Sequence, residues 1–135
     1  MATPTVMASE AGTTPDSRRF SRYRRIRRRS EFQQVFERGT RLQSRYFTLL
    51  LLPAEGSAPR LGIVASRKLG GAVVRNRAKR LIREMFRQLP TARSRSVDAV
   101  VIPRRELLDV PFDTLTQEFR TTWRRGLDRL DRARS

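Results

Sequence analysis

Residues 61–89 read LGIVASRKLGGAVVRNRAKRLIREMFRQL, and this stretch decides the fold. It opens on a β-rich run, Leu61 to Ser66, and passes through Gly70-Gly71 into the clearest helical pattern of the chain. Val74, Ala78, Leu81, Ile82, Met85 and Leu89 recur at the helical period as one apolar stripe, and Pro90 stops the helix. The opposite face carries Asn76, Arg80, Arg83 and Arg87, flanked by Arg75, Arg77 and Lys79. From Ser66 to Glu84 there are seven cations and one acid. Two glycines at a strand-to-helix junction let backbone approach a ligand closely, and the helix N-terminus favours an anion. An ordinary solvated helix face carries acids four residues from its bases; here they are missing, and like charges at that spacing weaken the helix. Phosphates would compensate them.

Working outward, Val97 to Ile102 is a further β-rich run, ended by Pro103. A last helix is expected to start near Asp113, a good N-cap, with Leu115, Phe119, Trp123, Leu127 and Leu130 on one side. On the N-terminal side, Ser30-Glu31-Phe32-Gln33 has the form of a capping box. Phe32, Val35 and Phe36 follow at helical spacing and Gly39 suits the end, which predicts a short helix. Residues 41–52 read as extended chain with a dense apolar end, Phe47 to Leu52, stopped by Pro53. A polar loop through Glu55, Gly56, Ser57 and Pro59 leads on to Leu61. The order helix, strands, helix, strand, helix predicts a small α+β sandwich with helices covering one sheet face. No internal repeat is present.

Residues 1–17 hold Ala, Thr, Ser, Pro and Gly with few large apolar groups and read as a disordered tail. The charge then changes abruptly: Arg18 to Arg29 holds eight arginines in twelve residues, interleaved with Phe20, Tyr23 and Ile26. A solvated arm has such a run too, but interleaved aromatics can stack on bases while guanidinium groups hold phosphates. Arg24, Arg25, Arg27, Arg28 and Arg29 are therefore candidate RNA contacts. The chain is expected to be one domain over 18–127, its first part (18–29) the basic arm, with a charged end at 128–135.

Composition narrows the chemistry. The 135 residues carry a formal net charge of +17, and 28 of the 30 basic residues are Arg. So much positive charge repels itself, and a polyanion relieves it. With no Cys and no His there is no disulfide, thiolate nucleophile or Cys-based zinc site, and the commonest general base is absent. The thirteen acids are scattered, so the clustered carboxylates of a two-metal nuclease are missing. Asp98, Glu106, Asp109 and Asp113 read as caps and surface charges. There is no P-loop, Rossmann fingerprint or nucleophile elbow. No apolar run is long enough to span a membrane and the N-terminus lacks an apolar signal core, so a cytoplasmic protein is expected. Phe32, Phe36 and Phe47 fit a core by spacing; in so cationic a chain an exposed stacking platform is the other reading.

The segment Arg75-Asn76-Arg77-Ala78-Lys79-Arg80-Leu81-Ile82-Arg83-Glu84 resembles the RNR signature of the bacterial ribonuclease P protein family. Arg27 to Phe36 resembles the family's first segment, with its F-x-x-V-F pattern. Arg41 to Leu52, Arg60 to Gly71, Val97 to Arg104 and Phe112 to Trp123 resemble its later elements, so the likeness covers roughly residues 18–127. It implies a single α+β domain in the order α-β-β-β-α-β-α, a sandwich with an unusual left-handed βαβ crossover where the default is right-handed. It also implies a protein subunit of a ribonucleoprotein endonuclease whose RNA, with Mg²⁺, cleaves the 5′ leader from precursor tRNA. By position, Arg75, Asn76, Arg77, Lys79, Arg80 and Arg83 would face the catalytic RNA. Arg67, Lys68, Phe32, Phe36 and Phe47 would serve the leader cleft. Leu50 stands where members often carry an aromatic, and Gly70-Gly71 where they commonly show Gly-Asn. A ribosomal or RNA-chaperone protein is the main rival on charge and fold alone, and a DNA-compacting protein a weaker one.

Overall fold

The computed structural model describes residues 24–55, 59–89 and 96–134. The tail, the start of the basic arm with Phe20 and Tyr23, Gly56 and Ser57 of the polar loop, and Pro90 lie outside the described residues. Five strands form one mixed sheet: β1 (Arg24–Arg25), β2 (Thr40–Gln43), β3 (Phe47–Pro53), β4 (Arg60–Ile63) and β5 (Val97–Pro103). Their order is β1-β4-β5-β3-β2, so four main strands are extended at one edge by the two-residue β1. β4 runs parallel to β1 and β5; β3 is antiparallel to β5 and β2. The helices are α1 (Arg29–Arg38), α2 (Ala72–Arg87) and α3 (Phe112–Arg134). Joining the parallel neighbours β4 and β5, α2 is the connection of the expected βαβ unit.

Residues 41–52 are a hairpin rather than one extended run. The break falls at Ser44–Tyr46, where Ser44 N–H donates to the Phe47 carbonyl at 2.9 Å. Both faces of the sheet are covered, which corrects the one-sided sandwich expected from element order. Along β3, Phe47, Leu49 and Leu51 enter the larger core with α2 and α3, while Leu50 enters a smaller one with Ile26, Val35 and Val100 beneath α1. A strand buried on both faces reads as a continuous apolar run, not an alternating one. That is why Phe47 to Leu52 looks so dense.

Phe47 is fully buried in the larger core, edge-on to Phe119 with ring centroids 5.5 Å apart. It therefore does not line a cleft, contrary to expectation: in phase with Leu49 and Leu51, its ring points to the face opposite α1. Phe86 and Trp123 continue the cluster at 5.5 Å. The start of α1 also differs. Its N-cap is Arg28, and Ser30 lies inside the first turn. Glu31 does the capping, accepting from the backbone N–H of Arg28 at 3.2 Å and of Arg27 at 3.4 Å. At the other end of the chain, α3 continues through the charged end to Arg134, with Leu130 buried. Gly126 brings α3 against the hairpin, since a Cβ there would collide with Leu42 and Leu51.

Candidate nucleic-acid interface

Beyond β4 the chain makes a short 3₁₀ turn, Arg67–Leu69, whose Leu69 is buried while Arg67 and Lys68 stand exposed. Gly70 follows at φ 151, a conformation that L side chains rarely adopt, and Val74 packs against it. Gly71 is the N-cap of α2, without a side-chain bond to the first turn. Ala78, Ile82, Met85, Phe86 and Leu89 are buried, as the apolar stripe requires; Phe86 is an addition to it. Asn76, Arg77 and Arg80 point into solvent. None of the three forms an ion pair among the described residues; the nearby acid, Glu84, pairs with Arg87 at 3.5 Å. Arg75, Lys79 and Arg83 are half-buried, and the Nε of Arg75 is enclosed without a hydrogen-bond partner.

Lys79 and Arg83 lean to the flank facing the β1–β4 edge of the sheet. With Arg25, Phe32 and Gly62 they line a cavity of about 140 Å³. It forms because β1 stops after two residues and leaves the edge of β4 open beyond Leu61. The Phe32 ring lies against the backbone of Gly62, in space a Cβ would need. Phe36, one turn further along α1, is 39 % exposed. Of the three expected cleft aromatics, Phe36 presents its ring to solvent, Phe32 is half-covered and Phe47 is core. Arg25, Arg27, Arg28 and Arg29 are exposed around the start of α1, and Arg24 pairs with β4 through its backbone at Arg60.

One ion cluster pins α1 to the sheet. Arg60 forks onto Asp98, with Nε to Oδ1 at 2.8 Å and Nη2 to Oδ2 at 2.7 Å, and its Nη1 reaches Glu31 at 2.6 Å. The Arg60 guanidinium, helped by the Arg28 backbone N–H, holds the Glu31 carboxyl below its usual range. The two carboxylates, Asp98 foremost, raise Arg60 still higher and keep it cationic. Thus α1 lies over the end of the sheet where β4 and β5 begin. Toward the β2 edge the same face carries exposed polar side chains. Arg41 and Gln43 sit there opposite Leu50 and Thr48, and Arg104 donates to Gln43. Arg41 and Arg104 escaped the sequence reading. The alternation of β2 against β3 could have placed Arg41, but the turn at Ser44–Tyr46 has no Gly, Asn or Pro to set the register.

What results is a cationic helix face beside a groove walled by α1 and floored by the sheet. Arginine forks can hold phosphates along both, and Phe36 offers a face to a base. Among the described residues no three acids cluster as a metal site would need, and Glu31 and Asp98 both face Arg60. No helix among them is long and apolar enough to cross a membrane.

A family model described as Ribonuclease P matches residues 20–126. The ribonuclease P protein component of Thermotoga petrophila is 42% identical over 88 residues, which are 65% of this chain and 75% of that protein. The solved ribonuclease P protein of Staphylococcus aureus superposes with a TM-score of 0.66 at 31% identity, covering 74% of this chain and 92% of the other. That of Thermotoga maritima gives 0.64 at 38%, covering 70% and 90%. Sequence over most of the chain and fold agree, and the chain belongs to the bacterial ribonuclease P protein family, a family of tRNA processing.

Proposed function

We propose that the chain is the protein subunit of cytoplasmic ribonuclease P, holding the catalytic RNA on α2 and the 5′ leader of precursor tRNA in the groove beside α1. The observation that carries this reading is the cationic face of α2, with Arg77 and Arg80 exposed and outside any ion pair among the described residues, adjoining a groove with an exposed aromatic. The work is electrostatic and positional. Arg77, Arg80 and Lys79, with Arg67 and Lys68 at the turn, lower the repulsion between two RNAs and displace their condensed counterions. The groove touches a leader that the product lacks, so affinity distinguishes precursor from mature tRNA. Hydrolysis of the phosphodiester belongs to Mg²⁺ held mainly by the RNA subunit and substrate. A ribosomal or chaperone-type RNA binder would share the cationic face but would gain nothing from discriminating a leader.

Phe36→Ala tests the groove, at a surface position where truncation leaves the core intact. Affinity of the reconstituted complex is expected to drop about tenfold for leader-bearing precursor, by loss of a stacked base, and to stay unchanged for leaderless tRNA. Equal losses for both would contradict the leader assignment.

A further inference from the structure

Glu118, Arg125, Arg129 and Arg132 fall on one stripe of α3 at helical spacing, along the flank that meets β2. Two hydrogen bonds fix that flank. Ser44 Oγ donates to Glu118 Oε2 at 2.9 Å, and Arg129 Nη1 donates to the Arg41 carbonyl at 3.3 Å. Because Ser44 bonds Phe47, the hydrogen-bonded pairs of the hairpin alternate as Leu42–Leu49 and Thr40–Leu51. The N–H and carbonyl of Arg41 therefore point away from β3, off the open edge of the sheet. Arg129 crosses that edge with one of its five N–H donors, and the others remain for a ligand.

Arg125, Arg129 and Arg132 are exposed, and neither they nor Arg41 form an ion pair among the described residues. Asp128, one turn from both Arg125 and Arg132, pairs with neither. The Arg41 side chain faces the groove side of the sheet, since it stands opposite Leu50. The arginines thus form a strip that leaves the floor of the groove and turns around the β2 edge onto α3. Protecting an open edge takes one cation, which Arg129 supplies. Two further arginines on the same stripe, whose acid Glu118 is engaged by Ser44, exceed that need.

We propose that this strip binds the backbone phosphates of the leader where the strand leaves the groove across β2. The inference rests on the leader reading of the groove and extends it to a second stretch of single strand. A strand crossing the sheet from β1 to β2 traverses four inter-strand spacings, about 19 Å, and reaches Arg41 and Arg129 at that exit, beside Arg104 on Gln43. No aromatic lies on the stripe, so contact is to phosphate and indifferent to base sequence.

The test uses the full chain reconstituted with a bacterial ribonuclease P RNA. It needs three substrates: mature tRNA, a precursor whose leader only fills the groove, and one extended by further unpaired nucleotides. For Arg125→Ala/Arg129→Ala/Arg132→Ala, affinity is expected to fall about tenfold for the long leader alone. Its log K against log salt slope should shrink by about 2, near 0.7 per phosphate released on a single strand. Replacing all three by Lys should restore much of the affinity, which an unfolded variant could not do. Equal loss for short and long leaders, or none for either, would overturn the strip while leaving the groove reading intact. If the unaltered complex binds mature tRNA and both precursors alike, the groove reading itself falls and takes the strip with it.

Discussion

Arg60→Ala is expected to lower stability by about 2–3 kcal/mol, measured as the shift in a urea or thermal transition. The variant leaves Asp98, with a side chain 9% exposed, without its bidentate partner. It also cuts the tie to Glu31 that holds α1 on the sheet. The figure is at the low end for orphaning a buried charge because Arg60 is itself 30% exposed and partly screened. The pH dependence separates this from generic damage. Glu31 has a depressed pKa, so its contribution is complete above the usual 4.5 and is lost as pH falls through the depressed value. On acidification wild type loses the part of that contribution that Arg60 supplies, while Arg60→Ala keeps only the part owed to the Arg28 and Arg27 backbone N–H groups, so the gap between their stabilities narrows below that pH. A gap that stayed constant from neutral pH into acid would mean Glu31 contributes nothing through Arg60.

The second large effect is on RNA affinity. Arg77→Ala with Arg80→Ala removes two exposed cations, outside any ion pair among the described residues, from the solvent face of α2 and touches none of its buried residues. Stability should change little. Affinity for the catalytic RNA should fall about tenfold to a hundredfold, and the salt slope should shrink by about 2, near 0.9 for each phosphate no longer neutralised on a duplex backbone. Filter binding across a salt series reads both. An unchanged slope would remove α2 from the interface.

Much of this fold is legible in the residues themselves. α2 and α3 announce themselves because a 3.6-residue period sustained over several turns has few competing explanations. The cationic face of α2 is legible for the same reason, since the stripe that is buried fixes the stripe that is not. The failures share one cause: they depend on register or on which face of the sheet is covered. Phe47 lies in phase with Leu49 and Leu51 rather than with Leu50, and only the pairing of β3 says which phase meets α1. β1 has no apolar alternation at all. It pairs because the edge of β4 is open and Ile26, next along, is buried beneath α1. Glu31 displaces Ser30 as the capping residue because Arg60 anchors it from the sheet, a tertiary contact 29 residues distant. Arg129 lies within the helical stripe that runs to Leu130, but nothing local tells that this flank of α3 meets the β2 edge.

The central claim is that this chain enables a catalytic RNA to remove a leader. The most direct measurement is 5′-end cleavage of a precursor tRNA at low Mg²⁺ by a bacterial ribonuclease P RNA, with and without the protein, and by the protein alone. The account predicts cleavage that depends on both components, at the mature 5′ end, and none from the protein by itself. Tight RNA binding without stimulation would contradict it in favour of a structural RNA binder, and cleavage by the protein alone would place the chemistry on side chains that the fold keeps apart.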